Sequence, residues 1–273
     1  MTSRRRLGQH FLTDPNILRK IVDALDPEPT DVVLEIGAGT GTLTAVLAPR
    51  VQRVIALEKD RRLAAECRMR NAECGIENAT VVEGDALKLD WHALLDARLA
   101  IPHSALRIPH FKVIGNIPYY ISTPLIAKAL TPPLPQRIVF LVQSEVADRV
   151  AARPGSEAYG ALSVGVQAVC RVEKLFTVKP GAFHPRPKVA SAVLRLTPLA
   201  EPLIPREDTD RFRAFVAACF SRRRKQLRNV VMAVTGRGAA EVVAGLDALG
   251  LDPAARPETL APDAFARLLR WSG

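Results

Sequence analysis

Apolar residues follow two rhythms along this chain, and the rhythm changes near residue 199. Ile17, Leu18, Ile21, Val22 and Leu25 recur at the spacing of one helix face. Asp14 stands at the N-cap position and Pro15 in the first turn, with Pro27 and Pro29 expected to end the helix. Val32 to Ile36 is a short apolar run of the kind shown by a strand buried on both faces. A glycine turn, Gly37-Ala38-Gly39-Thr40-Gly41, leads into a helix carrying Leu43, Val46 and Leu47. The alternation then repeats. Val54 to Leu57 ends in Glu58, Thr80 to Val82 in Glu83-Gly84-Asp85, Val113-Ile114 in Gly115-Asn116, and Ile138 to Val142 in Gln143. Strands alternating with helices predict an α/β domain built on a parallel sheet with right-handed crossovers. Leu175 to Val178 and Ala192 to Leu196 follow without a helix between them, which predicts an antiparallel hairpin at the sheet edge. The stretch from 92 to 110, with Pro102 and Pro109, yields no assignment.

Beyond Pro198 the prolines Pro202 and Pro205 mark a linker, and helices are predicted from there to the end. Phe212, Phe215, Val216, Cys219 and Phe220 form the stripe of the first one. The expected division is therefore an α/β domain over 1–198 and a small all-helical domain over 199–273. With 273 residues and 48% hydrophobic content, the chain can fill one large core and a smaller attached one.

Composition narrows the class. No apolar run approaches the ~20 residues of a membrane helix, and the basic segment Met1 to Arg6 has no apolar signal core behind it, so a cytoplasmic, membrane-free protein is expected. The four cysteines form no CxxC pair and the five histidines no zinc spacing, which predicts reduced thiols and no metal site. The 38 Lys and Arg outnumber the 28 Asp and Glu, giving a net charge of +10 that suits a polyanionic partner.

Ligands of an open parallel sheet bind beyond the carboxyl ends of its strands. Glu35, Glu58, Asp85 and Asn116 all fall at such ends. Glycine lets backbone approach a ligand closely. The spacing here is GxGxG with Thr at 42, whereas a dinucleotide fingerprint wants GxGxxG, which disfavours a nicotinamide cofactor. Glu58 is placed to accept ribose hydroxyls and Asp85 an adenine amine. Together with the turn they point to S-adenosylmethionine.

Asn116-Ile117-Pro118-Tyr119 follows directly on the fourth strand. An exocyclic adenine amine is a poor nucleophile because its lone pair is delocalised into the ring. The Asn116 side-chain oxygen and the Ile117 carbonyl can accept both amine protons and favour a pyramidal nitrogen, which is catalysis by positioning. Pro118 stiffens the loop, and Tyr119 offers a ring on which an extruded base can stack.

In this order the motifs resemble the KsgA/RsmA family of rRNA adenine dimethyltransferases, to which the Erm methyltransferases are related. The resemblance spans essentially the whole chain: Leu7-Gly8-Gln9-His10-Phe11-Leu12, Glu35 to Gly41, Glu58, Gly84-Asp85-Ala86, Asn116 to Tyr119, Gln143 to Arg149, and Phe183-His184-Pro185-Arg186-Pro187-Lys188-Val189. It implies a Rossmann-like S-adenosylmethionine-dependent methyltransferase sheet with a small C-terminal helical domain. It also implies dimethylation of adenosines in small-subunit rRNA and a part in small-subunit biogenesis. By the same resemblance His10 and Leu12 close over the methionine end of the cofactor. Gly37, Glu58, Asp85 and Asn116 complete its site, and Phe183 stacks on the target base opposite Tyr119. His10 stands where many bacterial members carry Asn, and Ser144 where lysine is frequent.

The charge then has an address: Arg222 to Lys225 with Arg228, Arg4 to Arg6, and Arg186 with Lys188. An Erm-type enzyme of large-subunit rRNA is the alternative within the class. Arg256 to Pro262 and Arg222 to Asn229 look like the small-subunit enzymes instead. A non-catalytic nucleic-acid-binding or ribosome-assembly factor and a small-molecule methyltransferase are the readings from other classes. A monomer is the default state.

Overall fold

The computed structural model describes residues 10–99 and 111–273. The expected Arg4 to Arg6 cluster and Leu7 to Gln9 lie outside the described residues. The elements in chain order are β1 (Phe11–Leu12), α1 (Pro15–Leu25), β2 (Val32–Ile36), α2 (Thr42–Leu47), β3 (Arg53–Glu58), α3 (Arg61–Glu73) and β4 (Ala79–Glu83). Next come α4 (Trp91–Leu99), β5 (Phe111–Asn116), α5 (Ser122–Ala129), β6 (Arg137–Gln143), α6 (Ser144–Val150), α7 (Ala161–Gln167), β7 (Cys170–Val178), β8 (Phe183–His184) and β9 (Ser191–Pro198). The last four are the helices α8 (Thr209–Phe220), α9 (Leu227–Thr235), α10 (Ala239–Ala248) and α11 (Pro262–Ser272).

Seven strands form one sheet in the order β4-β3-β2-β5-β6-β9-β7. The pairs among β4, β3, β2, β5 and β6 are parallel, and β9 runs antiparallel to β6. Strand order reverses between β2 and β5, so a crevice opens beyond their carboxyl ends. The central strands are apolar on both faces because helices cover both: β2 is buried throughout, as are Val54 to Glu58 and Ile138 to Val142. β7 and β9 are neighbours at the edge, as the sequence suggests, but the connection between them is not a plain hairpin turn. It carries β8, which leaves the sheet to pair antiparallel with β1.

The start of α1 follows its sequence signal, with Asp14 accepting from the amides of Asn16 (2.8 Å) and Ile17 (3.2 Å). Its end does not. The helix stops at Asp26, a left-handed residue at φ 53°, one position ahead of Pro27. Asp26 works there as an anchor. Its carboxylate takes the Arg137 guanidinium at 2.8 Å and its carbonyl takes Lys112 Nζ at 2.6 Å. Lys112, at the start of β5, also pairs with Asp31 at 2.7 Å, and both side chains are buried. This network fixes the floor of the sheet, opposite the crevice.

Contacts divide the chain into two compact units. One holds the described residues up to Ala147 together with Glu173–Thr197; the other holds Asp148–Val172 and Pro198–Gly273. Residues 148–172 were expected in the first domain and group instead with the C-terminal helices. The reason is packing. Tyr159 is buried and donates to the Leu260 carbonyl at 2.8 Å, and α7 packs on α8 and α11. Within the same unit the Phe220 and Phe265 rings stack at 5.6 Å. Among the described residues no helix is long and apolar enough to cross a membrane.

Candidate active site

The crevice is a cleft lined by the ends of β2, β3 and β5 and by β1. Its wall is the glycine turn. Gly37 has φ 74°, and a Cβ there would stand 3.2 Å from the Asn116 carbonyl oxygen on the neighbouring strand. Gly39 has φ 58°, and a Cβ would meet the Phe11 ring at 3.2 Å. Both positions need glycine for conformation and for closeness. That leaves main chain, with no side chain in front of it, facing the cleft.

Three acids reach the cleft from three strands. Glu58, 5% exposed, accepts from the Gly39 amide on Oε2 at 2.9 Å and from the Asp60 amide on Oε1 at 2.8 Å. It therefore braces the turn as well as lining the cleft. Burial raises its pKa above the ordinary carboxylate value, against the pull of those amide bonds. Each oxygen keeps a second lone pair, so two ribose hydroxyls remain within its capacity. Asp85 accepts from the Leu87 amide at 3.0 Å and pairs with Lys59 at 2.9 Å. The hydrogen bond from Lys59 is the main cause that lowers its pKa, so it is a carboxylate and an acceptor at neutral pH. Glu35 is 1% exposed and takes the Thr44 hydroxyl on Oε2 at 2.6 Å.

The loop after β5 begins with Asn116, whose Nδ2 donates to the His10 carbonyl at 3.1 Å. That bond commits the donor end of the amide and leaves Oδ1 as the acceptor end. Ile117 is buried, with its amide on the Leu141 carbonyl at 3.3 Å. Pro118, at φ −57°, begins a tight turn closed by the Ile121 amide on its carbonyl at 3.1 Å. Tyr119 is held by its hydroxyl, 2.7 Å from Ser191 Oγ on β9, so its ring has a fixed tilt over the cleft.

Leu12 and His10 both line the cleft, carried there by β1. Phe183 does not. The register sets Phe183 opposite Leu12 and His184 opposite Phe11. Strand alternation then turns Phe183, 5% exposed, into the hydrophobic core that also holds Leu12, Ile21 and Val193. The ring that faces Tyr119 is His10, with centroids 5.6 Å apart and planes 33° from parallel. Its Nδ1 lies 2.8 Å from the Pro185 carbonyl, which ties it to the segment bearing the exposed Arg186 and Lys188. The family resemblance sets Phe183 across a bound base from Tyr119; in the structure Phe183 is buried and the ring beside Tyr119 is His10.

A model of the family described as ribosomal RNA adenine dimethylase matches residues 1–271. The chain belongs to that family. The "Ribosomal RNA small subunit methyltransferase A" of Moorella thermoacetica is 41% identical over 271 residues, covering 99% of this chain and 92% of the relative. The protein of the same description from Syntrophotalea carbinolica is 43% identical, with 97% and 95% covered. Among solved structures, a dimethyladenosine transferase from Plasmodium falciparum superposes with a TM-score of 0.79 at 30% identity, covering 95% of this chain and 96% of that one. The 23S rRNA methyltransferase ErmE follows at 0.72 and 28%, covering 96% and 98%. This member of the dimethylase family is a methyltransferase with a Rossmann-like sheet, as its motifs suggest.

Sequence reasoning missed three participants in this dimethylase cleft. Lys59, Tyr120 and Ser191 carry no motif of their own and become visible only through their partners. Tyr120 is 60% exposed and stands at the cleft mouth. The basic run Arg222 to Lys225 and Arg228 are all exposed on the helical unit. Among the described residues no group of His, Cys, Asp and Glu has the makings of a metal site.

Proposed function

We propose that this cleft dimethylates the exocyclic amine of adenosines in small-subunit rRNA, with S-adenosylmethionine as donor. The observation that carries the reading is the Asn116 amide, whose donor end is held by His10 and whose acceptor end is left to the substrate at the strand-order reversal. Family membership makes the enzyme an S-adenosylmethionine-dependent adenine dimethyltransferase, and the relatives near 40% identity are all described as small-subunit enzymes. The ErmE likeness, at 28%, makes large-subunit rRNA the second reading.

The residues present fit the donor. The bare glycine backbone at Gly37 and Gly39 admits close approach, and Glu58 and Asp85 retain acceptor capacity for ribose and adenine. His10 and Leu12 cover the methionine end. When bound, the donor supplies an electrophilic sulfonium methyl group. Everything else is positioning by the chain. Asn116 Oδ1 and the Ile117 carbonyl accept the two amine protons and turn the nitrogen lone pair toward the methyl. Pro118 keeps that carbonyl from rotating away. Tyr119 takes one face of the extruded base and His10 stands beside it, recovering roughly 1–3 kcal/mol per stacking contact against the cost of unstacking. Phe183 supports β1 from beneath through Leu12 and acts as a positioning residue.

The helical unit bearing Arg222 to Lys225 and Arg228 supplies contacts to RNA phosphates, together with Arg186 and Lys188 on the catalytic unit. The protein works in the cytoplasm, as a monomer and without metal. Purified small and large subunits offered labelled donor test the reading, followed by mass spectrometry of the nucleosides. Label confined to the small subunit and recovered as dimethyladenosine is expected; label in the large subunit overturns the substrate assignment.

A further inference from the structure

One wall of the cleft is the loop between β4 and α4, which brings Gly84, Asp85 and Ala86 to its surface. Asp85 organises this loop. Its carbonyl accepts from the amides of Lys88 (2.9 Å) and Leu89 (3.0 Å), and its carboxylate from the Leu87 amide at 3.0 Å. The carbonyls of Leu87 and Leu89 are taken by a single ammonium: Lys128 Nζ, in the last turn of α5, donates to them at 2.9 and 2.6 Å. The same ammonium lies 5.7 Å from the centre of the Trp91 ring, whose buried indole N–H donates to the Ala86 carbonyl at 2.8 Å. A lysine in the last turn of a helix ordinarily serves that helix's own carbonyls or stays in water. This one is half-buried and reaches back 41 and 39 positions along the chain. Burial lowers its pKa, and the nearby carboxylates of Asp90 and Asp85 act against that. The helix that carries it, α5, begins just beyond Asn116 to Tyr119. In the sheet, β3 and β2 stand between β4 and β5, so about 14 Å and two strands separate the roots of the two loops. Lys128 joins them without passing through those strands.

We infer that Lys128 is a positioning residue for the reaction: it ties the Asp85 loop to the helix that follows the catalytic loop, and so sets where the adenine ring of the donor lies relative to Asn116. The inference rests on the reading that the donor's adenine amine meets Asp85. The relay is one residue long. Leu87 accepts from Lys128 on its carbonyl and donates to Asp85 Oδ1 through its amide, so the ammonium fixes the residue that aims the carboxylate. Lysine suits the task because its ammonium only donates, and carbonyls only accept. A methionine in its place keeps a flexible stem of similar length and loses every donor. The Asp85 carboxylate is then aimed by Lys59 and a loosened Leu87 amide, and its grip on the adenine amine weakens.

Calorimetry with two ligands tests this. S-adenosylhomocysteine carries the adenine amine, and S-inosylhomocysteine carries an oxo group in its place. K128M should bind S-adenosylhomocysteine about tenfold more weakly than wild type, the equivalent of one hydrogen bond, and S-inosylhomocysteine equally well. A lysine that served only to stabilise the fold would weaken both ligands alike. In a D85A background, K128M should cost S-adenosylhomocysteine nothing further, because the two residues act through one contact. Acylation of the wild-type lysines, read by mass spectrometry, needs no substitution. Lys128 should label more slowly than the exposed Lys88, and more slowly still with S-adenosylhomocysteine bound but not with S-inosylhomocysteine. Equal weakening of both ligands by K128M, a further loss from K128M in D85A, or labelling of Lys128 that S-adenosylhomocysteine leaves unchanged overturns the role of Lys128 alone. Unchanged S-adenosylhomocysteine affinity in D85A overturns the cleft reading beneath it.

Discussion

Asn116 and His10 are joined by a hydrogen bond from a side-chain amide to a main-chain carbonyl, 3.1 Å long, between the catalytic loop and the first described strand. Because the acceptor is backbone, the orientation of Asn116 depends on where β1 lies and not on the identity of residue 10. Asn116→Ala should lower kcat by about 100-fold to 1,000-fold, the scale seen when one preorganised polar group is removed from a transition-state site. His10→Ala should leave the Asn116 orientation intact and act mainly on KM, for the donor it covers and for the RNA base it stands beside. Steady-state kinetics with small subunits separate the two; equal losses of kcat in both variants would sink the distinction.

Tyr119 has two jobs that substitutions can part. Tyr119→Phe keeps the ring and loses the bond to Ser191, worth about 1 kcal/mol, so activity should fall less than tenfold. Tyr119→Ala loses the stacking face, and kcat/KM should fall by a further 10-fold to 100-fold, taking about 1–3 kcal/mol for the contact. Single-turnover assays on subunits report both.

The Lys112–Asp31 pair is a test of the sheet floor. Removing one buried partner leaves the other uncompensated, so Lys112→Met should destabilise the fold by about 3–5 kcal/mol. Replacing both, as Lys112→Met with Asp31→Leu, should recover most of that loss. Urea denaturation of the two variants decides it, and equal instability in both would refute the argument.

Glu35 shapes stability in the absence of ligand. Its carboxyl stands at about 7 in the fold against an ordinary 4.5, so the folded state binds the proton more tightly than the unfolded chain. The stability this contributes is complete below the ordinary value and is lost as pH rises through 7. Between pH 5.5 and 8.5 the loss assignable to this group is about 2 kcal/mol. Denaturation curves of wild type and Glu35→Gln should diverge with that sign, the variant holding its stability at the alkaline end.

The exposed basic cluster carries an electrostatic prediction. Substituting Arg222, Arg223 and Arg224 together with alanine should reduce the slope of log affinity against log salt by about 2 for rRNA, at roughly 0.7 per phosphate contact on single strands. S-adenosylhomocysteine binding should be unchanged. An unaltered salt slope would remove the cluster from the interface.

Much of this architecture is readable from periodicity alone, because the central strands are apolar on both faces and each ends in a polar residue at one rim. Glu58, Asp85 and Asn116 are found that way, since strand ends in a parallel sheet all deliver to one crevice. Phe183 is named by the family resemblance and not by periodicity, and its place in the fold is not legible locally. Nothing local in Phe183-His184 tells which residue of a two-residue strand turns inward; that is set by its register against Phe11 and Leu12, residues far away in sequence. The second unit fails the reading for a related reason. Residues 148–172 run into the start of β7 and look like part of the α/β alternation, yet the hydrogen bond that claims Tyr159 reaches Leu260, 101 positions later. Ser191 and Lys59 were invisible for want of any pattern, since each matters only through the one partner it touches.

The net charge of +10 and the three carboxylates of the cleft divide the molecule into two electrostatic territories. A nucleic-acid backbone is drawn to the outside and repelled from the interior, so the only portion of an RNA strand that can enter without penalty is an uncharged nucleobase. The acids that would embrace a positive donor therefore also act as a filter, keeping phosphate oxygens away from the reactive carbon and leaving the amine of an extruded base to approach it.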